Sequence, residues 1–336
     1  MQTMNSDPLS VDGLEHYLDK QSREDRFSGV VLLAHDGKPT FQKAYGFASK
    51  RFGIPNQVDT KFNVGSLNKI FTTVSILQLV EKGILSLDDP LGKFRPDFPA
   101  EIGDKVTIRH LAQQRAGWGD YWEHESYRST WARLRSVEDY MVFIKDIPLD
   151  FEPGEDQQHC NTCFEVLGAL VEAVTGRDYY DYVRANIYEP VGMPDSDSYE
   201  MDMVVENLAI GFTNLAPPGG EKSEGYQREN TFMHSVKGTP AGGGYTTAAD
   251  LLKFDNALRQ FRLLNPLHTA MIFNRFKEVE APSVAAPRRF MLAGGAPGIN
   301  TFYGGKATRV VIILSNYDPP VAMKLGAQIM EAADFV

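Results

Sequence analysis

Apolar and polar positions change period twice along the 336-residue chain. Between Val11 and Arg26, Leu14, Tyr17 and Leu18 recur at helical spacing among charged residues, which predicts an amphipathic helix lying on a larger body. Gly29–His35 is then a near-continuous Val/Leu run. Asp36-Gly37 is a strong hairpin signal, and Thr40 to Phe47 returns with alternating character, so two antiparallel strands are expected. After Thr60 the step becomes three and four. Ile70, Val74, Leu77 and Val80 place a partly buried helix over Asn63 to Gly83, closed by the glycine.

As far as Ala241, short helical patterns alternate with Pro/Gly-rich loops, among them Thr107 to Gln114, Phe164 to Thr175 and Tyr179 to Ile187. Thr247 to Phe261 reads as another helix, capped by Thr246 or Thr247, with Asp250 favourable in its first turn. Strand patterns return at Arg289 to Ala293, Asn300 to Tyr303 and Arg309–Ser315. Pro320 to Ala333 reads as a closing helix. Strands at both ends with helices between them predict an α/β (α+β) fold: an antiparallel sheet flanked by terminal helices, with a mostly helical part inserted. The expected division is 1–60 with 245–336 for the sheet and 61–244 for the helical part, with an active-site cleft between them.

Composition narrows the functions. Hydrophobic residues at 43% and charged residues at 23% describe an ordinary folded chain. A net charge of -10, with no run of Lys or Arg, argues against a nucleic-acid partner. The longest apolar stretches, such as Val30 to Ala34 and Val310 to Leu314, fall far short of the roughly 20 residues of a membrane span. No secretory signal is read in Met1 to Pro8, which leaves a cytoplasmic protein or an exported one already processed. Cys160 and Cys163 are too close in sequence to join distant parts of the fold. With His159 they make only three potential ligands at no closed zinc spacing, so neither a metal nor a cofactor is expected.

The candidate chemistry begins with Ser66 and Lys69. Three residues apart on a helix, they share a face, so a hydroxyl and an amine meet. A serine is a weak nucleophile until a base takes its proton, and a lysine serves as that base when its pKa falls from about 10.4. Backbone N–H groups at the helix start are available to an oxyanion. A Ser-x-x-Lys match alone arises about once by chance in a chain of this length.

The surrounding stretch FNVGSLNKIFTTVSILQLVEKGILSLDDPL resembles the serine beta-lactamase and penicillin-binding protein family, in its branch of class C enzymes, D,D-peptidases and esterases. VTIRHLAQQRAG, FEPGEDQQHCNTCFEVLGALVEAVTG, YVRANIYEPVGM, PAGGGYTTAADLLKF and LAGGAPGINTFY follow in the family's order, so the resemblance spans roughly residues 10 to 330. It implies Ser66 as nucleophile, Lys69 as its partner, an acyl-enzyme intermediate and an ester, amide or beta-lactam of modest size as substrate.

Three departures from the family pattern shape the expectation. The usual Tyr-x-Asn reads His159, Cys160 and Asn161, so His159 is expected to move the proton while Asn161 bonds the substrate or Lys69. The two cysteines stand where the family has Ser and Gly, and are read as substitutions inside a buried site. The usual Lys-Thr-Gly or His-x-Gly reads Leu292, Ala293 and Gly294, so no cation awaits a substrate carboxylate. Gly294, Gly295 and Gly298 still allow close approach, with the Gly295 and Ser66 amides forming the oxyanion hole. The loop from Leu111 to Gly117 has lost the family's polar signature, and Arg115 and Trp118 beside it are read as surface and core residues. A serine hydrolase of relaxed, esterase-like activity is the first expectation. A non-catalytic binding protein that keeps the fold is the second.

Overall fold

A computed structural model describes residues 11–216, 222, 226–274, 276 and 289–332. The helix α1 (Val11–Arg23) leads into β1 (Gly29–His35) and β2 (Lys38–Tyr45). A run of helices and loops follows, including α2 (Lys69–Glu81), α3 (Asn161–Thr175) and α4 (Ala248–Arg259). The chain ends with β3 (Phe290–Ala296), β4 (Ile299–Lys306), β5 (Arg309–Ser315) and α5 (Val321–Glu331). The five strands form one antiparallel sheet in the order β2-β1-β5-β4-β3. Both chain ends therefore build the same sheet, with β1 beside β5 in register from Gly29↔Ser315 to His35↔Arg309.

The unbroken apolar runs of β1 and β5 follow from their central position. Alternate side chains point to opposite faces, and here both faces are covered. Val31, Leu33, Val311 and Ile313 pack with Leu14 and Leu18 of α1 and with Leu325 and Ile329 of α5. Val30, Leu32, Val310, Ile312 and Leu314 face the other way, into the larger core shared with α2, α3 and α4. At about 1.5–3 kcal/mol for each buried aliphatic side chain, this two-sided burial fixes the register.

Several boundaries differ from the sequence expectation for physical reasons. The second strand ends at Tyr45, because Gly46 turns at φ +69 and a Cβ there would strike the Ser28 side chain; the chain resumes as Phe47–Ser49. The helix predicted from Asn63 opens instead as a 3₁₀ turn, Gly65–Asn68, and becomes α-helical only at Lys69. It is buried on nearly all sides, since Thr72, Thr73 and Ser75 are enclosed and bond backbone carbonyls, so its polar positions are not a solvent face. The helix expected from Phe164 starts at Asn161. Tyr179–Val183 passes into a π turn at Arg184–Tyr188. The cap of α4 is Thr247, whose hydroxyl accepts from Asp250 N at 3.1 Å. Ala333, the predicted end of the last helix, lies outside the described residues.

Candidate active site

The site forms where the 3₁₀ turn Gly65–Asn68 leading into α2, the first turn of α3 and the sheet edge β3 converge. Glycines make this convergence possible. A Cβ on Gly294 would lie 2.0 Å from Val64 O and 2.9 Å from Leu67 N, and one on Gly65 would lie 3.0 Å from Gly295 N. Gly65 itself has φ +52, which admits the tight turn that presents Ser66. The Thr301 hydroxyl of β4 donates to Val64 O at 2.9 Å and ties this turn to the sheet. Asn300 secures β3 and α5 together, donating to Gly294 O at 3.1 Å and accepting from Ala322 N at 2.6 Å. The Gly295 and Ser66 backbones are thus brought side by side.

Lys69 is buried, and its amine nitrogen stands 3.2 Å from Ser66 Oγ and 2.6 Å from Asn161 Oδ1, with the Ala241 carbonyl as a third partner. The Phe164 ring lies 5.4 Å away. Burial pulls the amine down from the usual lysine range to about 8, against the opposing carboxyls of Glu165 and Asp120. Two of its three contacts are carbonyl oxygens, which only accept. A neutral amine therefore gives both N–H groups to Asn161 and Ala241 and keeps its lone pair for the Ser66 hydroxyl.

Asn161 is also engaged from behind. Its Nδ2 donates to Asp120 Oδ2 at 2.6 Å. One helical turn later Glu165 is fully buried. It accepts from Tyr121 Oη at 3.1 Å through Oε1. Burial pushes Glu165 up to about 7, opposed by hydrogen bonds from Thr239 and Tyr121 and by Lys69. Asp120 is raised as well, again by burial, with Asn161, the Trp122 amide and Lys69 opposing. Neither acid was anticipated from the sequence. Glu165 had a signal, a lone acid four residues after Asn161 in the apolar stretch FEVLGALV; Asp120, in a Gly-Asp-Tyr-Trp loop, had none.

The remaining predicted residues divide. His159 is exposed and faces a cavity of about 460 Å³ that Ser66, Lys69 and Leu292 also line. No hydrogen bond joins it to Ser66 among the described residues; partial desolvation on the side of the ring that faces the protein, then Lys69, lowers its pKa. Leu292 is half-buried in that cavity near Ile70 and Phe302. Cys160 and Cys163 are joined by a disulfide across the first turn of α3, a link the sequence reading did not foresee. Cys160 Sγ also accepts from Cys163 N at 3.0 Å, so the pair stiffens the turn that carries Asn161. Trp118 is a core residue donating to Ile147 O, and Arg115 bonds the Gly154 carbonyl. A second cavity of about 310 Å³ opens on Ser66, Asn161 and Gly295 and is walled by Tyr121, Tyr127 and Trp131.

The beta-lactamase family model matches residues 14–333. This chain belongs to the beta-lactamase family. Among its relatives, esterase EstB of Burkholderia gladioli is 32% identical over 197 residues, 54% of this chain and 50% of that one. A penicillin-binding protein of Bacillus subtilis (strain 168) is 28% identical over 241 residues, 70% of this chain and 53% of that one. The chain thus spans about half the length of these two curated relatives. A crystal structure of a penicillin-binding protein from Bacillus halodurans superposes with a TM-score of 0.79 at 27% identity, covering 91% of this chain and 96% of that one. The α/β fold read from the strand and helix pattern, and the beta-lactamase-like fold that the resemblance implied, are the fold observed.

Proposed function

We propose that this family member is a serine hydrolase that forms an acyl-enzyme on Ser66 with a small ester or amide. The observation that carries the reading is the Lys69 amine, 3.2 Å from Ser66 Oγ with its other partners both acceptors. Neutral Lys69 takes the Ser66 proton as the oxygen attacks the carbonyl. The oxyanion is held by the Ser66 and Gly295 amides, which the glycine contacts keep close. Lys69, or His159 across the same cavity, returns the proton to the leaving group, and water then releases the acyl group.

Substrate preference follows from the walls. Leu292 supplies no cation on β3, and in the aromatic cavity Lys237 is already paired with Glu200 and packed on the Tyr180 ring, so esters and amides without a carboxylate beside the scissile bond are favoured over penicillins. Incubation with a fluorophosphonate probe, a p-nitrophenyl ester and nitrocefin, followed by intact mass, tests this. The expected result is a label on Ser66, absent in Ser66→Ala, with faster ester than nitrocefin turnover. His159, exposed and with no hydrogen bond to Ser66 among the described residues, favours a non-catalytic binding protein; equal residual turnover in wild type and Ser66→Ala would decide for that reading.

A further inference from the structure

Asp120 stands outside the residues that touch Ser66, yet it is the group behind Asn161. Its side chain is held in place by the fold. The Tyr121 amide donates to Thr162 Oγ1 at 3.1 Å, and Thr162 Oγ1 donates to Gly119 O at 2.9 Å, so the Gly119–Tyr121 segment is clamped to the first turn of α3. Asp120 Oδ1 accepts from Trp122 N at 3.4 Å, which leaves Oδ2 turned to Asn161 at 2.6 Å.

The chemistry of the atoms then fixes the orientation of the Asn161 amide. An ionised carboxylate only accepts, so the amide end facing Asp120 has to be Nδ2, and Oδ1 is the end facing Lys69. With Oδ1 there, Lys69 must donate to it. Reversing the amide would present an N–H group to Lys69 instead; the amine would accept with its lone pair and have none for Ser66.

We propose that Asp120 is a positioning residue: its carboxylate selects which end of the Asn161 amide meets Lys69, and so aims the lysine lone pair at Ser66. This rests on the serine-hydrolase reading above. The titratable groups facing Asp120 are Lys69 from α2, Glu165 from α3, Glu123 from its own loop and Tyr127 from the helix Glu125–Thr130. An asparagine at position 120 keeps the shape but presents either an oxygen or an NH₂ group, so the selection is lost.

The test is the single-turnover acylation of Ser66 by a p-nitrophenyl ester, read by intact mass and nitrophenol release, in wild type, Asp120→Asn and Asp120→Glu. For Asp120→Asn the expected result is acylation slowed about 100-fold, the scale of a misdirected reacting group, with KM and melting temperature unchanged. The acid limb of its rate profile moves to lower pH, since loss of an anion lowers the Lys69 pKa. Asp120→Glu, which still only accepts, recovers part of the rate. A merely structural residue would not move the limb or respond to the conservative variant. Wild-type acylation in Asp120→Asn, or a change confined to KM, overturns the assignment while leaving the hydrolase reading intact. A wild-type protein that takes no acyl group overturns both.

Discussion

Ser66 lies between two unlike walls. On the side of α2 and α3, polar groups form a continuous chain of donors and acceptors from Ser66 through Lys69 and Asn161 to Asp120, with Glu165 bonded by Tyr121 beneath it. On the side of β3, the cavity wall is the apolar pair Leu292 and Ala293, and what remains of the family pattern is backbone, the close glycine contact at Gly294 and Gly295. On the proposed reading, the difference separates activating the serine from choosing the substrate. The first would fall to the buried hydrogen-bond network behind Lys69, the second to a strand whose glycines let the backbone approach.

This contrast is open to direct challenge. The largest expected effect is on the polar wall: Lys69→Ala should slow acylation by roughly 10³- to 10⁴-fold in folded protein, measured as ester turnover and mass labelling. Wild-type turnover should rise with pH as Lys69 loses its proton near 8. Glu165→Gln removes an anion beside that amine, so the limb should fall below the wild-type position. The same variant has a stability signature. Because the folded-state pKa of Glu165 is raised from 4.5 to about 7, its favourable contribution is full below about pH 4.5 and is lost as pH rises through about 7. Glu165→Gln should therefore melt higher than wild type above pH 7 and show no such gain below about pH 4.5.

Smaller effects belong to the apolar wall and to the disulfide. Leu292→Lys places a half-exposed cation near Ser66 and should shift the kcat/KM ratio toward carboxylate-bearing substrates by roughly tenfold, about 1.4 kcal/mol. An unchanged ratio would show that β3 does not select the substrate. The smallest effect is expected from replacing Cys160 and Cys163 with serine and alanine. Closing so short a loop contributes about 2 kcal/mol at most, so urea unfolding should register a modest loss. Turnover should hardly move, since Lys69 and Asp120 still grip Asn161.

Much of this was legible in the order of residues. The central place of β1 and β5 was written as apolar runs, the capping of α4 as Thr246 or Thr247 ahead of Asp250, and the pairing of Ser66 with Lys69 as a three-residue step. These signals are local, because helix and strand periods and caps act over a few residues. The ring of groups around Lys69 was not local. Ala241 lies 172 residues away, Asn161 92 residues away, and Asp120 meets Asn161 across 41.

The sequence by itself determined the elements, the sheet built from both termini and the three-residue step that brings the Ser66 hydroxyl to the Lys69 amine. Only the tertiary structure decided that α2 is enclosed on nearly every side, that Cys160 and Cys163 are bonded to each other, and that Asp120 and Glu165 stand behind the lysine. The reason is physical: a side chain's period tells which way it points, while its proton affinity and its hydrogen-bond partners are set by whatever distant segments folding packs against it.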